Sequence, residues 1–208
     1  VPVEITDRGH NNQVDLHPWL EAHGKLRVIL TGDNAHISIP AKPLTCFGMH
    51  IELGSDSSVD VGAGCGLTNT YIFCARQGRV KIGDGTTLHA KVRFVLHEPS
   101  RIILGRDCMV ASDVQFLTSD NHSILDATTG RRINPAQDIE IGDHVWLGLQ
   151  SVIMKGTRIG AGSVVGLRSV VTGAVPANCL ATGSPARVIR ENVQWDRKLL
   201  PEVSGPAG

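Results

Sequence analysis

The sequence predicts an all-β parallel solenoid, and three observations carry that expectation. An aliphatic residue returns every six positions at Ile141, Leu147, Ile153, Ile159, Val165 and Val171. Two positions before each stands a residue of modest size: Ile139, Val145, Ser151, Thr157, Ser163 and Ser169. Glycine follows four of the six (Gly142, Gly148, Gly160, Gly166), in a chain with 23 glycines and only 4% aromatic residues. Neither a helix of period 3.6 nor an ordinary amphipathic strand gives a strict six. A short strand and a turn, repeated, does. Alternation within the strand sends positions i−2 and i into a core, and the glycines are expected at corners with positive φ. Repeats of this length are a signature of β-helices.

From the N-terminus, residues 1–25 are polar and off the beat, which reads as a cap segment; the stretch from Asp15 to Leu20 suits a short helix or a cover for an open end. Residues 26–190 read as the β-helix. Its first strands flank the turn Gly32-Asp33-Asn34. Val61, Leu67 and Phe73 keep an imperfect beat, then Ile82, Leu88, Phe94 and Leu104, Val110, Phe116 restore it. The wider step from Phe94 to Leu104 places about four extra residues at His97-Glu98-Pro99-Ser100. The beat breaks again over 117–138, a polar, turn-rich loop. Structureless loops of that length in a compact solenoid are uncommon and often functional. A short helical segment is expected near the C-terminus, and residues 191–208 read as a tail whose last eight fray.

Composition excludes several classes. The 20 basic and 20 acidic side chains balance, so no nucleic-acid footprint is visible. No apolar run reaches the roughly 18 residues of a membrane span, and the N-terminus shows no signal-peptide pattern. The five cysteines (Cys46, Cys65, Cys74, Cys108, Cys179) are odd in number and lack a CxxC pair. That points away from a zinc site or disulfide framework and toward a reducing, cytoplasmic compartment.

With Gly183-Ser184-Pro185-Ala186-Arg187, the 141–171 stretch resembles the hexapeptide-repeat acyltransferases. The resemblance implies a left-handed β-helix, a triangular prism with three hexapeptides and about eighteen residues per coil. It covers at least residues 80–190. Within the family the order Ser119-Asp120-Asn121-His122, then Thr129-Gly130-x-x-Ile133-Asn134, then Ile141-Gly142-Asp143-His144-Val145-Trp146-Leu147-Gly148 is similar to the branch that O-acetylates sugars and polysaccharides. The implied oligomer is a homotrimer with sites between subunits.

The site residues follow. On loop position alone, His122 is more commonly a solvated histidine; the resemblance makes it the general base, a role suited to a neutral imidazole. Asp120 and Asn121 are candidates to orient the ring or hold an acceptor hydroxyl, although both residue types also favour turns. Trp146, at i−1, should point outward, toward acceptor, pantetheine or a subunit interface. The resemblance lays acetyl-CoA, the co-substrate, along the C-terminal coils: pantetheine near the backbone of Gly148 and Gly166, and contact at Thr172. The next family position is often lysine and is Gly173 here. Arg187 and Arg190 suit phosphates, guanidinium being a bidentate donor, or are ordinary surface charge. A backbone N–H near Gly148 is the expected oxyanion donor. His144 is read as facing solvent. The same-fold zinc alternative, a γ-class carbonic anhydrase, would need His89, His97 and His122 to converge; their spacing does not resemble that class, so no metal is expected. The function read is transfer of acetyl to a sugar hydroxyl, as of a capsular or cell-surface polysaccharide or its precursor. An N-acetyltransferase of amino-sugar nucleotides and a catalytically silent scaffold are the alternatives.

Overall fold

The computed structural model describes residues 2–201 and is a three-sided parallel β-helix. Residues 202–208, most of the stretch read as a frayed end, lie outside the described residues. Each coil visits three faces in turn, named here for Ile141, Leu147 and Ile153. The Ile141 face stacks eight strands, from Gln13–Leu16 through Gly78–Ile82 and Ile139–Ile141 to Ala174–Val175, so the prism has eight coils. The strand Thr45–Leu53 serves two faces, its start pairing with Gly66–Thr68 and its end with Tyr71–Cys74. It turns the prism edge at Gly48, whose φ of 72° needs glycine.

All twelve positions of the six-residue pattern from Ile139 to Val171 are buried. The aliphatics stack on their counterparts in the next coil, Leu147 on Val165 and Ile153 on Val171. Each such side chain removed from water stabilises by about 1.5–3 kcal/mol. The small i−2 residues fill the narrow corners, where hydroxyls need acceptors: Thr157 Oγ1 donates to Val171 O at 3.0 Å and Ser163 Oγ to Pro176 O at 2.6 Å. Lower down the prism is wider. Phe94 stacks on Phe116 with centroids 4.6 Å apart.

The corner glycines act differently from the expectation. Positive φ recurs every six residues, but at His144 (52°), Gln150 (58°), Gly156 (76°), Gly162 (72°) and Arg168 (53°). Gly142, Gly148, Gly160 and Gly166 instead permit close approach of coils. A Cβ on Gly160 would stand 2.3 Å from Ala177 N, and one on Gly148 2.7 Å from Leu167 N. Parallel strands lie about 4.8 Å apart, and at this corner the backbones pass with no room for a methyl.

Coil length also varies. Pairing partners are eighteen residues apart late in the chain (Trp146 with Val164) but twenty-two apart earlier (Thr87 with Met109). The four extra residues seen around His97 therefore belong to a run of wide coils, whose Ile141-face strands are five residues long (Ser100–Leu104) rather than two (Arg158–Ile159). In the coil before, Ile72 is the buried residue and Phe73 points outward against His97, one position off the expected beat.

The stack also starts earlier than the beat. Glu4–Asp7 pairs with Lys25–Leu30, and Gln13–Leu16 with His36–Ile39. The short helix Pro18–His23 takes the place of a Leu147-face strand, with Pro18 in its first turn and Leu20 fully buried. At the other end no helix forms among the described residues. Ala186–Arg190 turns back antiparallel along Leu180–Gly183, where the last coil leaves a free edge and Val188 and Ile189 favour strand.

Glycine substitutions separate close approach from corner conformation. Gly160→Ala should lower the thermal midpoint, as overpacking typically costs about 1–3 kcal/mol. Gly173→Ala, with nothing within 4 Å of its Cβ, should be neutral or stabilise by up to about 1 kcal/mol. Equal midpoints for the two variants would remove the close-approach account.

Candidate active site

The excursion loop leaves the prism after Gln115–Leu117 and returns at Ile139–Ile141, at the edge between the Ile153 and Ile141 faces. The coils on its two sides are stapled directly. Asp138 Oδ1 accepts from Arg101 N and Asp143 Oδ1 from Arg106 N, both at 2.8 Å, and each carboxylate also pairs with that residue's guanidinium. Inside the loop a hairpin forms through the Leu125–Arg132 bridge, and Asp126 Oδ1 caps its turn by accepting from Thr128 N and Thr129 N.

His122 sits at the base of this hairpin, exposed. Its N–H donates to Asp120 O at 2.7 Å across Asn121, whose φ is 62°. That is a γ-turn of the strained hand, the kind that costs about 1–3 kcal/mol and persists only where surrounding structure enforces it. Asp120 is committed to the loop: its carboxylate accepts from Lys155 Nζ and from Asn134 Nδ2. Asn121 supplies the turn conformation. Lys155 lies on the same prism edge one coil further on, and exposed Thr172 a coil beyond that.

The second group of candidates gathers elsewhere. Trp146 projects outward from the Leu147 face, 38% exposed, as its position in the hexapeptide implies. It lines a cleft of about 780 Å³ with Gly148, Gly166, Leu149, Leu167, Arg190 and Trp195. Leu149 and Leu167 are 44% and 65% exposed and give the cleft an apolar rim. Arg187 stands on the same hairpin strand, exposed, its guanidinium on Ala186 O. The backbone N–H of Gly148 is not free for an oxyanion, because it donates to Val165 O at 2.8 Å, and that of Gly166 likewise to Ala181 O. Their missing side chains face the next coil rather than the cleft. The candidate residues of one chain therefore fall into two separate groups: His122, Lys155 and Thr172 on one edge, and Trp146, Gly148, Gly166 and Arg190 on the opposite face.

The cleft has a wall that periodicity did not reveal. The tail runs back along the prism, stacking Trp195 on His144 at 4.0 Å and donating its indole N–H to His144 O. Arg197 then ties it to Asp107 and Thr87. His144 is stacked on one face by this tail but keeps a side chain 41% exposed to solvent, and its Nδ1 lies 2.7 Å from Asp107 Oδ2. Trp195 was the available signal, a tryptophan in a chain that has three. Of the proposed zinc set, His97 lies against Phe73, and among the described residues no group of three metal-ligating side chains is placed to hold an ion. The five cysteines are buried and unpaired; burial pushes the Cys74 thiol up to about 12. No helix among the described residues is long and apolar enough to cross a membrane.

Acid should release the loop. The hydrogen bond from Lys155, with that from Asn134, holds the Asp120 carboxyl below its ordinary value, and Arg132 does the same for Glu98. A depressed folded pKa contributes stability above the unfolded value of about 4, and that stability is lost as pH falls through the folded pKa. Proteolysis within 118–138 should accelerate on acidification below about pH 4, and Lys155→Met should raise cleavage at neutral pH and blunt the acid response. Cleavage of the wild type that stays flat until global unfolding would show that these pairs do not hold the loop.

No family model matches the chain. The polysialic acid O-acetyltransferase of Escherichia coli O1:K1 is 37% identical over 126 residues, covering 61% of this chain and 41% of that protein. The chain thus spans less than half of that relative. The polysialic acid O-acetyltransferase of Neisseria meningitidis is 30% identical over 200 residues, covering 94% of this chain and 80% of that one. The crystal structure of the polySia-specific acetyltransferase NeuO superposes with a TM-score of 0.86 at 32% identity, over 97% of this chain and 92% of that chain. With the coil architecture and this likeness running together over nearly its whole length, the chain belongs to the sugar and polysaccharide O-acetyltransferase branch of the hexapeptide-repeat, left-handed β-helix acyltransferases.

Proposed function

We propose that the protein transfers acetyl from acetyl-CoA to a hydroxyl of a polysaccharide, as two of its relatives are named for doing to polysialic acid. The observation that carries the reading is His122, exposed on a loop whose backbone is held in a strained turn, where a proton acceptor can meet a large acceptor. Neutral His122 takes the hydroxyl proton as the oxygen attacks the thioester carbonyl. The tetrahedral intermediate collapses, breaking the C–S bond, and the imidazolium returns the proton to the departing thiolate. The oxyanion donor is the Leu149 N–H, beside Gly148 at the cleft and outside the inter-coil ladder. Asn121 and Asp120 shape the acceptor side, and Thr172 contacts the coenzyme from the loop-bearing edge. Five unpaired cysteines accord with a reducing cytoplasm as the place of action.

The division into two half-sites supports a homotrimer. Head-to-tail contact between the loop-bearing edge of one copy and the Leu147 face of the next closes as a ring of three and completes three sites. His122→Ala should lower kcat about 10²–10⁴-fold with little change in thermal midpoint or acetyl-CoA affinity. Trp146→Ala should weaken the donor face. Mixed after dissociation and reassembly, these two impaired variants should recover activity, up to about a quarter of wild type, since random trimers reunite an intact loop with an intact face at one site in four. Recovery absent while each variant remains trimeric would mean that both groups act within one chain. His122→Ala with a third of wild-type kcat would remove it as the base, and His97 would be tested next.

Arg190 and Arg187 are assigned to the phosphates of the donor. Arg190→Ala should raise KM for acetyl-CoA roughly tenfold, the worth of one charge-assisted hydrogen bond, with kcat little changed. The double variant should be weaker still and less sensitive to salt. An unchanged KM in both single variants and the double would return the two residues to ordinary surface charge.

A further inference from the structure

We propose that Asn134 is a positioning residue for the reaction, fixing the peptide that carries His122; the proposal rests on His122 being the base. Asn134 ends the Thr129-Gly130-Arg131-Arg132-Ile133-Asn134 stretch and is buried, at 6% exposure, beneath an otherwise exposed loop. Its carboxamide uses every hydrogen-bonding position it has. Nδ2 donates to Asp120 Oδ2 and to His122 O, both at 2.8 Å. Oδ1 accepts from Ile124 N at 2.7 Å and from Arg132 Nε at 3.2 Å. Two of these partners are pure acceptors and two are pure donors, so only an amide in this one orientation satisfies all four.

Three of the four bonds converge on the residues flanking His122 in sequence and on its own carbonyl. Asp120 precedes the strained turn at Asn121, and Ile124 opens the hairpin after it. His122 is thereby held on both sides of its Cα: its N–H by Asp120 O, its C=O by Asn134. The amide is itself held from outside the turn. Arg132, which bonds Oδ1, is clamped to Glu98 by two hydrogen bonds of 2.6 and 2.7 Å, and Lys155 reaches Asn134 O at 3.4 Å as well as the Asp120 carboxylate. The loop is thus anchored to the coils on both sides through one side chain. A base displaced by about 1 Å loses up to about 10²-fold in rate.

The test compares Asn134→Ala, Asn134→Asp, His122→Ala and the double variant His122→Ala/Asn134→Ala in the full chain. Asn134→Asp keeps an acceptor for Ile124 N but turns oxygen toward Asp120 and His122 O, so it separates positioning from loss of bulk. Both single Asn134 variants should lower kcat roughly ten- to a hundredfold, with acetyl-CoA affinity by calorimetry unchanged. The double variant should be no slower than His122→Ala alone, because a residue acting through His122 has nothing left to position. Additive losses in the double variant, or unchanged kcat in both single variants while His122→Ala is inactive, overturn the proposal and leave the base intact. Loss of acetyl-CoA binding in both Asn134 variants likewise shows a merely structural role. An active His122→Ala overturns the base reading, and this proposal with it.

Discussion

The structure depends on one constraint: every strand must bond to the strand one coil below and the strand one coil above, at a fixed spacing of about 4.8 Å. Everything along a face is therefore copied upward. Trp146 is followed by Val164 and Leu180, Leu147 by Val165 and Ala181, and Gly148 by the corner of Gly166. Inside the prism the copying builds a core of stacked aliphatics. Outside it builds columns of side chains, and an outward aromatic or leucine finds itself beside another apolar group from the next coil. The apolar cleft on the Leu147 face is such a column, closed by the returning tail.

The same constraint gives a reason for a candidate base to stand on an excursion. Within the ladder, backbone N–H and C=O groups are already paired, as those of Gly148 and Gly166 are, and side chains stand at positions set by the repeat. A reactive group that must approach a separate acceptor needs a backbone free of that register. The stretch 119–136 leaves the ladder and forfeits its hydrogen bonds. It replaces them with the Asp126 cap, the Leu125–Arg132 bridge and the Asn134 amide. Polar side chains here do the work that coil-on-coil pairing does elsewhere, which is why the loop is rich in Asp, Asn and Arg.

Most of the fold was legible because a period of six reports which way a side chain points, and pointing decides burial. From Ile139 to Val171 that reasoning succeeded at every position. It failed where the deciding fact is a distance to another coil. Gly160 is glycine because Ala177 passes 2.3 Å from its absent Cβ, and nothing local distinguishes that need from a positive φ, which lies at the neighbouring positions instead. His144 does face solvent, but its stacking partner, Trp195, was not foreseen because it is far along the chain. The candidate base, Trp146 and Arg190 were legible as motif and pattern. Their separation onto an edge and an opposite face was not, since a linear repeat does not say which corner an interruption occupies.

That separation has a consequence for how such a site tolerates change. The cleft residues share the prism's rigidity: moving Trp146 means moving Leu147, which is locked between Val110 and Val165. His122 has no such neighbours, and its position depends on a few polar contacts: Glu98 with Arg132, Lys155 with Asp120, and Asn134 between them. These half-buried pairs hold the loop rather than the core of the prism, so losing one should leave the fold standing while His122 loses its position. On the proposed reading, the prism would set where the donor lies, and a handful of loop contacts would decide whether the acceptor's proton can be taken.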